Sequence, residues 1–334
     1  MKILAIADGF IPADYILEGF KGHPEMSDEL EVRTWVHESI EALQADNLAV
    51  EHGGPESVEV PAELFEGVED VEVIVTQFCP VPRSILERAV RLRAVGVMRG
   101  GAENVDVDAA AERGVKVLNT PGRNAEAVAE FTLGLMLTEM RNISRSEARL
   151  RKGSWDRDFP DAAAIPEIEG KTVGVIGYGQ IGRRVSRFVR AMGASVLAYD
   201  PWATEVEDGV ELLGDLLDLA SRSDIVTIHA RLTAETHHLV SKEVLAAMRP
   251  GAFLINSARS GLVDEQALLE ALRSRSIMGA AIDTFDHEPL PLDSGFQDLE
   301  NVTITGHLAG STVDAFKKTP SLLADRIVRE LAGR

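Results

Sequence analysis

The sequence predicts an α/β protein of two domains, each built on a doubly wound parallel sheet. Three observations carry this. Short apolar runs alternate with helical patterns along the whole chain, the signature of parallel strands covered by helices. A second alternating series of this kind begins afresh near residue 171. The 334 residues, at roughly 150 per domain, give about two domains.

The elements follow in order. In the first series the apolar runs place strands at 2–7, 31–36, 71–76, 92–97 and 115–118, with helix-like stretches at 83–91 and 107–113. The opening run ends at once on Asp8, too short for a signal peptide, so it reads as the first strand. The acidic segment 51–70, with Gly53-Gly54-Pro55, reads as a loop plus a short helix. Residues 124–142 form a long helix with Asn124 as candidate N-cap. Its faces are nearly all apolar (Val128, Phe131, Leu133, Leu135, Met136), which calls for burial all round, against a neighbouring domain or subunit. The second series has six strands, at 172–176, 195–199, 225–229, 252–256, 279–282 and 302–305, matching a doubly wound nucleotide-binding sheet. Residues 312–333 close the chain as one amphipathic helix.

Composition removes several classes of function. A net charge of −20 argues against binding nucleic acid or anionic membranes, which need a basic face. It also means that an anionic substrate must find local positive charge, which draws attention to individual arginines. No apolar run reaches the roughly 20 residues that span a bilayer, so the expected location is the cytoplasm. Cys79 is the only cysteine, which excludes a disulfide framework and any multi-cysteine zinc site. It reads as a small buried apolar residue. The histidines show no metal-site spacing, and no metal is expected.

The strongest local motif follows the strand at 172–176: Gly177-Tyr178-Gly179-Gln180-Ile181-Gly182, opening a helix. Alone a GxGxxG is weak. Between a strand and a helix it is a dinucleotide fingerprint: Gly177 for the tight turn, Gly179 for close approach to a pyrophosphate, Gly182 for helix–strand packing. Asp200 ends the next strand, 18 residues after Gly182, where a carboxylate receives the adenosine ribose hydroxyls and repels a 2′-phosphate. Pro201 and Trp202 are not basic, so the expected cofactor is NAD.

Three polar residues stand at the ends of late strands, where open parallel sheets place ligands. Arg259 follows the strand at 252–256, and its planar fork suits a carboxylate. His307 follows the strand at 302–305 and titrates near neutrality, as an acid/base must. Glu288 lies in Asp286-His287-Glu288-Pro289; a carboxylate bonded to an imidazole orients it and favours its charged form. Each has an ordinary default: a surface arginine, a loop histidine, an acidic loop before proline. His287 competes as the base and ranks lower. No Gly-x-Ser-x-Gly elbow supports a hydrolase.

In this order the motifs resemble those of the D-isomer-specific 2-hydroxyacid dehydrogenases, the family of phosphoglycerate dehydrogenase, hydroxypyruvate/glyoxylate reductase and D-lactate dehydrogenase. The likeness runs from about residue 72 onward. It includes Asn104-Val105-Asp106, Asn119-Thr120-Pro121-Gly122, Val128-Ala129-Glu130, the glycine fingerprint, His229-Ala230-Arg231-Leu232-Thr233, and the Arg259, Glu288 and His307 motifs. The resemblance implies a Rossmann-type NAD-binding domain at 121–307 inserted in a discontinuous, flavodoxin-like substrate domain at 1–120 and 308–334. It implies that Arg259 binds the substrate carboxylate and carbonyl, His307 is the acid/base, and Glu288 supports it. Cofactor contacts are implied for Gln180, Ile181, Ala230, Arg231, Ser257, Ala258, Asp283 and Gly310 beside the fingerprint and Asp200. Substrate contacts are implied for the Arg99-Gly100-Gly101 loop, and a homodimer through the helix at 124–142.

The chain departs from the family pattern at four points. Val97 stands where many members carry arginine, so that Arg99 reads either as a substrate contact or as a salt-bridge partner of Glu103. Arg231 and Gly306 stand in place of prolines, and Ser260 in place of glycine. None removes a catalytic group, but they leave the substrate's identity open. The 334 residues leave no room for the regulatory domain of long phosphoglycerate dehydrogenases, so serine feedback is not expected. The alternative is an NAD(H)-sensing binding protein of the corepressor type on the same fold; an intact Arg–Glu–His set argues for the enzyme.

Overall fold

The computed structural model describes residues 1–159 and 165–332. The chain runs β1 (Ile3–Ala7), α1 (Ala13–Phe20), α2 (Pro24–Ser27), β2 (Leu30–Thr34), α3 (Ile40–Gly53), β3 (Val73–Thr76), α4 (Arg83–Arg88), β4 (Ala94–Val97), α5 (Val107–Glu112) and β5 (Lys116–Asn119). It continues through α6 (Ala125–Met140), α7 (Ile143–Arg151), β6 (Thr172–Ile176), α8 (Gln180–Ala191), β7 (Ser195–Tyr199), β8 (Val210–Leu213), α9 (Leu216–Arg222) and β9 (Ile225–Ile228). It ends with α10 (Lys242–Ala247), β10 (Phe253–Asn256), α11 (Glu265–Ser274), β11 (Gly279–Ile282), β12 (Val302–Ile304) and α12 (Val313–Ala332). Two compact units result: Met1–Asn124 with Ser311–Arg334, and Ala125–Gly310.

The first unit is a five-stranded parallel sheet in the order β2-β1-β3-β4-β5. Strands β1, β3 and β4 are buried on both faces, which is why they read as continuous apolar runs. Alternation splits their side chains between two cores. Ile3, Ala5, Val73 and Val75 pack with Ile16 and Phe20 of α1 and Leu323 and Ile327 of α12. Leu4, Ile6, Ile74 and Val95 pack with Trp35, Leu43, Phe65 and Leu86. Burying each such side chain contributes about 1.5–3 kcal/mol. The segment expected to be a loop with one short helix continues α3 to Gly53 and then holds two short 3-10 turns, at Ala62–Phe65 and Val68–Asp70.

The second unit is a seven-stranded parallel sheet in the order β12-β11-β10-β9-β6-β7-β8. It has one strand more than expected: β8, the edge strand Val210-Glu211-Leu212-Leu213, pairs with β7. The strand order reverses between β6 and β9, so the loops after those two strands diverge at a switch point, where such sheets bind ligands. Helix α6 begins at Ala125 and ends at Met140, two residues short of its expected end, because Asn142 adopts a left-handed conformation at φ 56°. Its residues Ala129, Leu135, Met136 and Met140 fill the core over β6, β10 and β11. Helix α7, which was not expected, has no buried residue and exposes Ile143 and Leu150.

Candidate active site

The loop after β6 shows what each glycine is for. Gly177 has φ +89°, and a Cβ there would lie 2.5 Å from the backbone N of Ala230. The loop after β9 therefore passes directly against it. A Cβ on Gly182 would lie 2.1 Å from the carbonyl oxygen of Gly177, so the first turn of α8 packs onto the turn itself. Gly179 differs, because a Cβ there would meet nothing within 4 Å. The chain leaves this space free at the N-terminus of α8, where amide N–H groups and the helix dipole favour an anion. That fits a dinucleotide pyrophosphate.

Asp200 follows β7 and sits next to the glycine turn. Its carboxylate accepts hydrogen bonds from the backbone N–H groups of Tyr178 (2.8 Å) and Trp202 (2.9 Å), which fix its position beside the turn. Each oxygen keeps a lone pair for a hydroxyl. Trp202 is exposed and lines the same open hollow as Tyr178, Gly179, Gln180, Arg183 and Asp200. Its flat ring there is a surface that sequence reasoning credited only with not being basic. Gln180 and Ile181 form the start of α8; the Gln180 side chain accepts from Arg184 at 2.9 Å.

The loop after β9 carries Ala230 and an exposed Arg231. Burial pushes the imidazole of His229 down to about 3; its Nδ1 is buried without a partner and its Nε2 meets Thr227 Oγ1 at 3.0 Å. His229 is therefore a neutral packing residue at pH 7. Ser257, after β10, bonds Thr132 of α6 at 2.7 Å. Asn256 ties the Ser257–Arg259 turn at both ends, accepting from Ala258 N–H at 3.1 Å and donating to the Arg259 carbonyl at 3.0 Å. This leaves the Arg259 side chain exposed, with one hydrogen bond, to the Ala258 carbonyl.

His307 and Glu288 meet: Nδ1 of the imidazole lies 2.9 Å from Oε2 of the carboxylate. The other oxygen of Glu288 accepts from the Phe285 N–H at 3.0 Å. Half-burial of Glu288 works against its charge. The hydrogen bonds from His307 and Phe285, and the nearby charges of His307 and Arg259, outweigh it and hold the carboxyl below its ordinary range. Arg259, Glu288 and His307 thus form one electrostatic group. His287 is exposed and its charge acts on Glu265 instead.

His307 has φ +55°, a left-handed conformation that side-chain-bearing residues avoid at a cost of roughly 1–2 kcal/mol. Asp283 holds it there. This carboxylate is fully buried; one oxygen accepts from Thr305 Oγ1 (2.6 Å) and Leu308 N–H (2.9 Å), the other from Ala309 N–H (2.9 Å). Its backbone carbonyl accepts from the His307 N–H at 2.8 Å. The Asp283 carboxylate, implied above as a cofactor contact, is engaged by the loop 305–309, which ends beside Gly310.

In the first unit, the guanidinium of Arg99 is almost fully buried. It bonds Asn47 at 2.6 Å and Glu51, and lies 3.3 Å from Glu103. The salt-bridge reading of Arg99 is the one that the structure gives. Gly100 accepts from the Asn119 side chain at 2.6 Å, and a Cβ on it would meet nothing, whereas a Cβ on Gly101 would strike the Glu103 carboxylate. Cys79 is buried and its thiol is pushed up by that burial, away from reactivity. No group of three or more His, Cys, Asp or Glu side chains suited to a metal occurs among the described residues. No helix among them is long and apolar enough to cross a membrane.

This arrangement matches known proteins. Residues 133–309, more than half of the chain, fit the family model for the NAD binding domain of D-isomer specific 2-hydroxyacid dehydrogenases. D-3-phosphoglycerate dehydrogenase of Methanocaldococcus jannaschii is 40% identical over 275 residues, 81% of this chain and 52% of that protein. The chain thus spans about half the length of this relative. Hydroxypyruvate reductase of Thermotoga maritima is 37% identical over 273 residues, 80% of this chain and 88% of that protein. Among solved structures, a D-isomer specific 2-hydroxyacid dehydrogenase from Lactobacillus delbrueckii ssp. bulgaricus, in its NAD complexed form, superposes with a TM-score of 0.80 at 25% identity, covering 100% of this chain and 98% of that one. The chain belongs to the D-isomer specific 2-hydroxyacid dehydrogenase family, and the family's NAD-binding domain lies in its second unit.

Proposed function

We propose that the chain interconverts a D-2-hydroxy acid and its 2-oxo acid, with NAD as cofactor. The observation that carries this is the His307–Glu288 hydrogen bond of 2.9 Å beside the exposed Arg259. NADH, when bound, supplies the hydride that the oxo carbon needs. Gly177, Gly179, Gly182 and Asp200 would hold it, and Asp200 favours a free ribose 2′-hydroxyl over a phosphate. Arg259 holds the substrate carboxylate and polarises the carbonyl. Glu288 takes Nδ1–H of His307, so Nε2 is the nitrogen left to act. The imidazolium gives its Nε2 proton to the carbonyl oxygen in reduction and regains it in oxidation. Glu288 stays ionised and stabilises the imidazolium in both directions.

The active form is proposed to be a homodimer. A second copy would cover the remaining exposed face of α6 and the apolar side chains just beyond it, Ile143, Leu150 and Trp155, the last 85% exposed.

The test follows NADH and NADPH oxidation by absorbance across a panel of 2-oxo acids: glyoxylate, pyruvate, hydroxypyruvate, phosphohydroxypyruvate and longer sugar-acid analogues. NADH should be preferred. His307→Ala should lower kcat by at least about 100-fold with little change in NADH affinity. Unchanged turnover in that variant removes His307 from the chemistry.

A further inference from the structure

The loop that presents Glu288 to His307 is anchored unevenly. It leaves β11 at Asp283, and the ring of Phe285 sinks into the core against Phe296 at 5.7 Å. The next two residues, Asp286 and His287, are exposed. Among the described residues, the backbone of 286–288 makes one hydrogen bond to another residue: the Asp286 N–H donates to Oε2 of Glu265 at 3.1 Å. That bond is the outside tie on the stretch between the buried Phe285 and the carboxylate that meets the imidazole.

Glu265 reaches the loop from a rigid base. It opens α11, and the chain from Arg259 to Glu265 is a short 3-10 turn at Ser260–Leu262 followed by Val263 and Asp264. Leu262 and Val263 are buried. The Val240 N–H donates to the Leu262 carbonyl at 2.8 Å, and the Asp264 N–H to the Val240 carbonyl at 3.1 Å. The Asp264 side chain caps the helix by accepting from the Ala267 N–H at 3.0 Å. Glu265 therefore ties the loop after β11, which carries Glu288, to the segment after β10, which carries Arg259. Both lie in the second unit.

An acidic residue in the first turn of a helix is ordinary, since it meets the positive end of the dipole. That default asks only for an exposed carboxylate. Glu265 is instead half-buried. Burial raises its carboxyl above the ordinary range; the Asp286 N–H works against this, the Asp286 charge adds to it, and the charge of His287 opposes it. Water would suit the carboxylate better than this place does. What the place provides is an acceptor aimed at the backbone of a loop 21 residues away.

We propose that Glu265 is a positioning residue for the acid/base pair: by holding the Asp286 backbone, it keeps Glu288 within hydrogen-bonding distance of His307 Nδ1. It acts through the loop and not by contact with the imidazole. Its bearing on turnover rests on the 2-oxo acid reading above; its bearing on the imidazole does not.

The test has two arms. Glu265→Ala removes the acceptor, whereas Glu265→Gln removes the charge and keeps an amide oxygen for the Asp286 N–H. Both change a part-exposed helix start and should melt within about 4 °C of the wild type. The first arm needs no turnover. With histidines labelled at 13Cε1, the His307 signal is the one of eight that is missing from His307→Gln. Glu265→Ala should lower the pH midpoint of that signal by about 0.5–1 pH unit, because a loosened Glu288 favours the imidazolium less; Glu265→Gln should keep it within about 0.2. Glu288→Gln should lower the midpoint as well, and adding Glu265→Ala to it should move it no further. In the second arm, kcat with the best 2-oxo acid should fall about tenfold in Glu265→Ala at unchanged NADH affinity, and Glu265→Gln should restore it to within about threefold. On a Glu288→Gln background, Glu265→Ala should cost less than about twofold. A merely structural Glu265 would lower Tm and leave the His307 titration where it was; that result overturns the proposal, with or without turnover. Equal titration shifts in Glu265→Ala and Glu265→Gln would assign the effect to charge rather than to the hydrogen bond, and would overturn it too. A titration that moves as stated, in a protein that turns over no 2-oxo acid, would leave Glu265 positioning the pair and remove the dehydrogenase reading.

Discussion

At the scale of single residues, the proposed chemistry depends on one imidazole whose Nδ1 is fixed so that its Nε2 is free. Glu288 supplies that fixing through one hydrogen bond and one charge. Both side chains are partly exposed, so the pair adds no more than about 1 kcal/mol to stability. The sign of its pH dependence follows from the depressed carboxyl of Glu288. Its small stabilisation is present above the unfolded value of about 4.3 and fades as pH falls through the lower folded value, so it is intact at pH 7. Glu288→Gln keeps the shape and removes the charge. It should lower kcat by about 10- to 100-fold while Tm stays within about 1–2 °C. Steady-state kinetics beside a melting curve checks this. An equal loss in Tm and activity would mean that Glu288 holds the fold rather than the imidazole.

At the scale of elements, Asp283 at the end of β11 is what turns a loop into a platform. Its carboxylate gathers Thr305, Leu308 and Ala309, and its carbonyl receives His307, so the left-handed φ of His307 is set from a neighbouring strand end. Asp283→Asn puts an NH2 group against N–H donors. It should cost about 2–4 kcal/mol in denaturant unfolding and lower kcat by about 100-fold, with NADH affinity little changed. If activity survives, the loop is positioned by other contacts. The same elements show which features can be read from sequence. Strands such as Val173–Ile176 and Ile225–Ile228 are buried on both faces, so composition alone marks them. Strand β8 carries Glu211 on an exposed edge, and α7 buries nothing, so neither leaves an apolar period to find. Arg259 and His307 were legible because each follows a strand in a recognisable motif. The clamp of Asp283 was not, since it depends on partners 22 to 26 residues away.

At the scale of the whole molecule, the two units carry proton-linked terms of opposite sign. In the first, burial pushes Asp8 up to about 6 against hydrogen bonds from Ile11 and Phe10. A raised folded value stabilises at low pH, and that contribution is lost as pH rises through about 6; from pH 7 to 5 the first unit gains about 1 kcal/mol. In the second, burial holds His229 down at about 3. Its contribution is complete above the unfolded value of about 6.5 and is lost as pH falls toward 3; from pH 7 to 5 the second unit loses about 2 kcal/mol. Relief of self-repulsion in a chain of net charge −20 acts on both units with one sign, so the difference between them is the informative quantity. Hydrogen exchange read by mass spectrometry, corrected for intrinsic rates, resolves it, because sub-global opening reports each core separately. On going from pH 7 to 5, protection of peptides from β6 and β9 should fall relative to those from β1 and β3. His229→Asn should remove the loss in the second unit, and Asp8→Asn the gain in the first. Should protection in the two units shift in parallel, or the variants keep the wild-type difference, these two buried groups do not govern how the protein responds to acid.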